Sequence, residues 1–218
     1  VFLSTAMSVQ GGRSGKVQIS SGTSVQYSSG AISIQSGETK SGISGGIALV
    51  VGNGGSGNGG SVYLSAGNSH TQHSSGGEVK IQAGLSSGVL SEGGKVSLMA
   101  GSSESATGGS IKIVTGKSNV GSSGNIAINT EDTRGSGKSG QILLKTGQSK
   151  SNSGSVMIHS GKSEAGISGS VEMKVGAAES NKGGDILLAA GKSGSSVGGY
   201  IKLMSGGSQN GISGHVDI

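Results

Sequence analysis

The feature that most constrains how this chain can fold is a short motif that recurs from one end to the other. In residues 109–118 the motif reads Gly-Ser-Ile-Lys-Ile-Val-Thr-Gly-Lys-Ser. Its first Val or Ile, here called the marker, returns every 14 to 17 residues and most often after 15. So short a period is typical of a solenoid, because one copy cannot bury its own apolar face and must stack on its neighbours. The markers are Val1, Val17, Ile32, Ile47, Val62, Val79, Val96, Ile111, Ile126, Ile142, Val156, Val171, Ile186, Ile201 and Val216.

A second apolar residue stands two positions after every marker, and the two columns together are called the apolar stripe. Alternation of apolar and variable residues has the period of a strand with one buried face, and β-branched Val and Ile favour strands. We therefore predict one short strand per copy, with the stripe inside and residues such as Lys112 and Glu172 outside. A smaller residue four positions after the marker, such as Ala83 or Thr115, is expected to face the same interior. The second column is Leu3, Ile19, Ile34, Leu49, Leu64, Ile81, Leu98, Ile113, Ile128, Leu144, Ile158, Met173, Leu188, Leu203 and Ile218.

Two glycine columns flank the stripe. The first glycine lies two positions before the marker, and it requires either a positive φ or an approach of two chain segments too close for a Cβ. From Val17 onward the second glycine lies five positions after the marker, with Glu131 as the one departure, and we predict that it marks the opposite bend. The first glycines are Gly15, Gly30, Gly45, Gly60, Gly77, Gly94, Gly109, Gly124, Gly140, Gly154, Gly169, Gly184, Gly199 and Gly214. The second glycines are Gly22, Gly37, Gly52, Gly67, Gly84, Gly101, Gly116, Gly147, Gly161, Gly176, Gly191 and Gly206.

A hydroxyl residue recurs two positions beyond the second glycine, as in Ser118 and Ser163. Such hydroxyls either bond from copy to copy in a ladder or satisfy backbone groups at the turn. Two longer copies add residues at 68–75 and 85–92, which we expect to bulge as loops on one edge. Together these columns predict an all-β fold: a single flattened β-solenoid over residues 1–218, of about 15 coils with a repeat of about 15 residues, its Val/Ile/Leu stripe facing a Gly/Ser side.

Both ends of the sequence fall inside a predicted strand, at Val1 and at Val216. An uncapped coil presents unpaired backbone groups and an exposed apolar stripe. The same columns meet at each end, and a head-to-tail contact that does not close generates a fibre. We therefore expect an array that is uncapped at both ends and belongs to a longer array or to a filament formed by self-assembly.

Composition narrows the class of protein further. With 31% hydrophobic residues, 2% aromatic residues and 47 Gly, the chain cannot build an ordinary globular core. Such a glycine-rich composition is typical of disorder, but the strict apolar columns argue against it. The absence of Cys excludes disulfides and thiolate metal sites. No apolar run is long enough to span a membrane.

The charge balance bears on partners. The formal net charge is +5, and Lys117, Lys162 and Lys192 occupy equivalent places in their copies. Such a surface would attract anionic polysaccharide or silica, although a solvated face that keeps a fibre soluble explains the same residues. Nucleic acid is disfavoured as a partner because few aromatic side chains are present on which bases could stack. The chain has no aromatic residues other than Phe2, Tyr27, Tyr63 and Tyr200.

The motifs that could carry chemistry are incomplete. Gly-Lys-Ser occurs at 116–118, 137–139, 161–163 and 191–193, but without the upstream Gly of a phosphate-binding loop or a helix after it. His70 and His73 lack a third metal ligand nearby. The acidic residues occupy different columns and form no catalytic pair. We therefore predict no catalytic residues, no cofactor-binding residues, no metal site, no cofactor and no enzymatic activity.

The repeat, in its Ser/Gly-Gly-x-Val-x-Ile-x-Ser/Ala-Gly-x-Ser form, resembles the Gly/Ser-rich repeats of large secreted or cell-surface proteins of microalgae such as diatoms. The resemblance covers the whole chain and implies a structural, fibre-forming or adhesive role at the cell surface or in the extracellular matrix. The alternative is a carbohydrate- or mineral-binding module, followed by an ice-binding protein or a polysaccharide-active enzyme. A binding module should show one outward column of a single residue type, whereas an enzyme should show a local cluster of acids.

Overall fold

The computed structural model describes residues 1–9 and 11–217, and over these residues it contains neither α-helix nor β-strand. The prediction of an all-β solenoid is therefore wrong. The stripe residue Ile218 lies outside the described residues. The chain divides into two units, Val1–Lys112 and Ile113–Ile218. No helix of the described residues is long and apolar enough to cross a membrane.

The regularity of the sequence nevertheless appears in the backbone path. From the second copy onward, each copy runs without a bend from its first glycine to beyond its second glycine, and then bends once, starting eight or nine residues after the marker. The bends are at 25–27, 40–42, 55–57, 71–73, 88–90, 104–106, 119–121, 134–137, 150–151, 164–166, 179–181, 194–196 and 209–211. No second glycine lies in a bend, so the prediction that this column marks one is wrong. The chain turns in the following Ser-rich loop instead.

A single backbone hydrogen bond closes six of the described loops between consecutive copies. The amide of a first glycine donates to the carbonyl oxygen of the preceding second glycine, with N–O distances of 2.8 to 3.2 Å. This glycine pair is formed by Gly67 and Gly77, Gly84 and Gly94, Gly101 and Gly109, Gly116 and Gly124, Gly191 and Gly199, and Gly206 and Gly214. A β-ladder needs successive bonds along both segments. At most one such bond per loop leaves the two segments unpaired beyond the glycines, and this is why the predicted strands do not form.

Most first glycines are explained by close approach, and none by backbone conformation. The described glycines with positive φ are Gly11, Gly42 and Gly57, and none of them belongs to this column. A Cβ added at any first glycine would lie 2.6 to 4.0 Å from the side chain four positions after the preceding marker. At Gly77, for example, it would lie 3.2 Å from the Cβ of Ala66. Positive φ is thus excluded for this column, and close approach accounts for the glycines at which an added Cβ would lie within about 3.4 Å of a neighbouring atom. The nearest atom would be at an ordinary contact distance of 3.6 to 4.0 Å at Gly30, Gly45, Gly154, Gly169 and Gly214.

The loop hydroxyls satisfy backbone groups at the turn. Ser118 Oγ accepts the amides of Val120 and Gly121 at 3.3 and 2.8 Å, and Ser163 Oγ accepts the amide of Gly166 at 3.0 Å. Ser24, Ser103, Ser149 and Ser193 accept amides of their own loops in the same way. Among the described residues no hydroxyl of this column bonds to a hydroxyl of another copy, so the turn alternative is confirmed for these copies.

No side chain of the described residues is buried, whether it is hydrophobic or polar. The markers from Val17 to Val216 expose between 47 and 57% of their surface, and the second stripe residues from Leu3 to Leu203 between 56 and 77%. The prediction of a stripe enclosed in an interior is therefore wrong. The physical reason is the same as for the missing strands, since segments that meet only at a glycine pair cannot enclose a Val or an Ile. The partly shielded residues are Ala66, Ala83, Ser86, Thr115, Ser163 and Ser193.

Candidate interaction surface

The described part of the chain encloses no cavity or cleft, and its side chains are presented on an open surface. The same residues hold no group of three or more His, Asp or Glu side chains close enough to share a metal ion. His70 and His73 lie in the longer loop that contains the turn at 71–73. In that loop Thr71 donates a hydrogen bond to Ser74 at 2.9 Å, and His73 has a φ of 60°. The geometry brings no third ligand to this histidine pair.

The Gly-Lys-Ser sequences lie at the start of loops. In three of them the hydroxyl oxygen accepts loop amides, as described for Ser118, Ser163 and Ser193. In a phosphate-binding loop those backbone amides would instead point at the phosphate. At 137–139 the carbonyl oxygen of Gly137 accepts the Thr133 hydroxyl at 3.2 Å. These loops are therefore stabilised internally, and their Lys117, Lys162 and Lys192 side chains are exposed to solvent.

Two ion pairs occur in residues 1–9 and 11–217. Lys182 Nζ lies 3.2 Å from Asp185 Oδ2, and Lys174 Nζ lies 3.9 Å from Glu172 Oε1. All four side chains are at least three-quarters exposed. Pairs of this kind contribute little to stability because water and salt screen them. They balance charge on the surface and bring no two carboxylates together.

The apolar stripe is the most regular feature of the surface. In an extended segment, residues two positions apart point the same way. The first glycine, the marker and the residue four after the marker therefore share one side of their copy. The contact between the first glycine and the residue four after the preceding marker joins each copy to the one before it, at 2.6 to 4.0 Å from an added Cβ. Each copy thus presents its Val, Ile and Leu stripe residues on one side of its own segment.

A second set of apolar residues was missed by the sequence analysis. Ile43, Ile167, Val197 and Ile212 immediately precede the pair that ends in the first glycine. They lie just beyond the bend and expose 92 to 101% of their surface. The signal was available, because Gly-Ile-Ser-Gly recurs at 42–45, 166–169 and 211–214 in loops otherwise made of Ser, Gly and charged residues. These residues extend the exposed apolar surface from the segments to the loops.

The total surface is far larger than that of a compact protein. The chain exposes 22,624 Å², whereas a folded monomer of 20.9 kDa exposes about 9,000 Å² and its unfolded chain about 30,000 Å². A single chain therefore buries only about a quarter of the surface of its unfolded state, where a domain of this length buries about 70%. The apolar stripe is part of the surface that a compact fold would have removed from water.

Comparison of the chain with protein-family models, with curated proteins and with solved structures gives no match. The functional argument therefore depends on the chain's own surface.

Proposed function

We propose that this chain is a structural protein of extracellular or cell-surface material that acts by associating with further copies of itself, in fibre-forming or adhesive assemblies, and has no catalytic role. The observation that carries the proposal is the surface of 22,624 Å² without a buried hydrophobic side chain among the described residues. Apolar burial is the dominant favourable term in folding and in association. A chain that buries so little by itself gains that term by association.

The proposed association does not depend on the stacking of strands. Head-to-tail stacking was expected from open strand ends, and that basis is lost with the strands. Side-chain surfaces along the units supply another basis, since every copy offers the same stripe. The Gly/Ser-rich composition and the resemblance to secreted repeats of microalgae favour an extracellular setting for the assembly.

Sedimentation velocity of the full chain over a range of concentrations, with electron microscopy of the same samples, tests this function. We expect the mass to rise well above the 20.9 kDa of one chain and to form elongated or continuous assemblies. A mass of one chain up to about 1 mM would overturn the proposal, because the association free energy would then be weaker than about 4 kcal/mol.

A second candidate function is the binding of anionic polysaccharide or silica. It is favoured by Lys117, Lys162 and Lys192, which stand exposed at equivalent loop positions. Replacing all three by Gln should abolish retention on an anionic polysaccharide or on silica at low salt if this function is correct. Unchanged retention would contradict this function, because the three substitutions also lower the formal net charge from +5 to +2.

A further inference from the structure

The exposed apolar residues that could mediate self-association differ in how regularly they recur along the chain. The stripe recurs in every copy, whereas loop residues such as Ile43 and Ile212 occur in a minority of copies. Apolar residues on the opposite side of the segments, such as Leu143 and Met157, also have no regular column. A surface that recurs in each copy can contact a second surface with the same repeat at many points at once.

The amount of apolar surface can be compared with what an interface needs. Burial of an aliphatic side chain contributes about 1.5 to 3 kcal/mol at about 25 cal/mol per Å², which corresponds to roughly 60 to 120 Å² each. In Ile113–Ile218 the described stripe residues expose 47 to 72% of their surface. They are Ile113, Ile126, Ile128, Ile142, Leu144, Val156, Ile158, Val171, Met173, Ile186, Leu188, Ile201, Leu203 and Val216.

Together these side chains present on the order of 500 to 1,000 Å² of apolar surface in one unit. The largest apolar patch of a typical monomer is about 300 to 600 Å², and one partner of a standard interface contributes about 800 Å². The stripe of one unit therefore suffices for one side of a stable interface.

From this we propose that the stripe is the contact surface between copies of the chain, with the stripe of one copy packed against the stripe of a second copy. The proposal rests on the proposed function and names the surface that it uses. A second copy fits because its stripe has the same spacing, so that markers can face markers along a unit. The residues beside the stripe are small, namely the side chains four positions after the marker and the first glycines. They leave room for the backbones of two copies to approach each other.

The aliphatic character of the stripe separates this partner from a lipid surface. Residues that anchor proteins at a membrane interface are typically Trp and Tyr. Tyr63 and Tyr200 stand one position away from a marker, on the other side of the segment, and the stripe itself contains Val, Ile, Leu and Met. Its residues suit a dry contact with another aliphatic surface.

The test compares two variants of the full chain that change the same four copies. The stripe variant carries Ile142→Thr, Val156→Thr, Ile186→Thr and Ile201→Thr. The matched control carries Leu143→Thr, Met157→Thr, Leu187→Thr and Tyr200→Thr, which lie next to the stripe and are more exposed, at 64 to 87% against 51 to 57%. Neither variant removes a buried side chain.

Sedimentation velocity gives the concentration at which half of the chains are associated. We expect the stripe variant to raise this concentration at least about tenfold and the control to leave it within about threefold of the wild type. If exposed hydrophobicity in general drove association, the control would have the larger effect. An unchanged stripe variant, with an associating wild type, would overturn the stripe contact and leave the proposed function standing.

A cross-linking measurement supplies an independent readout, because the chain has no native Cys. A single Ile142→Cys or Leu143→Cys chain is treated with an added thiol oxidant under conditions where the wild type associates. We expect a dimer linked by a disulfide to form faster at position 142, since a bridge requires Cα atoms within about 7 Å. Equal rates, or a faster rate at 143, would contradict the contact.

The remaining outcomes of these experiments distinguish a failure of the proposed function from a failure of the stripe contact. A wild type that stays at one chain in mass overturns the proposed function and the stripe contact together. A monomeric wild type that binds vesicles of phosphatidylcholine and phosphatidylserine through the stripe, with binding lost in the stripe variant, also overturns the second-copy partner and assigns the surface to lipid.

Discussion

Gly94 and Gly84 form one hydrogen-bonded pair, with the amide of Gly94 2.9 Å from the carbonyl oxygen of Gly84, but the two glycines have opposite surroundings. A Cβ on Gly94 would lie 3.0 Å from the amide nitrogen of Gly84 and 3.2 Å from the Cβ of Ala83. A Cβ on Gly84 would meet nothing within 4 Å. Only one member of the pair is therefore glycine for a steric reason within the chain.

This asymmetry predicts different effects of the same substitution. Gly94→Ala should push the two segments apart and break the hydrogen bond, because the neighbouring backbone atom cannot move aside as a flexible side chain would. Protection of the amide of residue 94 against hydrogen exchange should fall by about 2- to 13-fold, the equivalent of about 0.5 to 1.5 kcal/mol. Gly84→Ala is the control and should leave this protection unchanged. Equal losses in the two variants would contradict the close approach.

The loop serines give a second prediction. Ser118→Ala removes the acceptor of the Val120 and Gly121 amides and should loosen the bend at 119–121. Amide exchange of Gly121 should accelerate by about 2- to 13-fold, again for a hydrogen bond of about 0.5 to 1.5 kcal/mol. Ser118→Thr keeps the hydroxyl and should restore slow exchange, which separates the bond from any effect of side-chain size. No change in Ser118→Ala would mean that the loop shape does not depend on this acceptor.

The sequence predicted the features that depend on local pattern. The close approach at first glycines such as Gly77 and the turn role of hydroxyls such as Ser118 were each one of two alternatives that residue type and spacing allowed, because they involve residues close together in the chain. The longer loops at 68–75 and 85–92 were also placed correctly, and each contains the turn of its copy, at 71–73 and 88–90.

The strands and the buried stripe could not be predicted in the same way. Alternation determines which residues share a side of an extended segment, but it does not determine how close the next segment comes. Beyond a glycine pair such as Gly116 and Gly124, nothing in residues 113–128 fixes that separation. Ile113 consequently remains 65% exposed, so Ile113→Asp would not bury an unpaired charge within one chain.

The ion pair between Lys182 and Asp185 is predicted to be dispensable. Its side chains are 82 and 77% exposed, and exposed pairs of this kind contribute about 0 to 1 kcal/mol before screening by salt. Asp185→Asn should therefore leave the half-association concentration of the chain within about threefold of the wild type. The comparison is made in sedimentation velocity at low salt and again at high salt. A large loss at low salt that disappears at high salt would show that this pair lies in a contact between copies.

Thermal unfolding supplies the last prediction, since cooperative transitions of small proteins reflect the loss of a common packed interior. The described residues contain no buried hydrophobic side chain, so the dilute chain should show no sharp transition in calorimetry. Partners that bind the ordered state stabilise it by mass action, so a transition should appear as concentration rises and should move to higher temperature. The variant with Thr at 142, 156, 186 and 201 is the control and should show no transition at concentrations where the wild type has one. A sharp transition whose midpoint is the same at every concentration would require an interior within a single chain, and would contradict both the open structure and the association that follows from it.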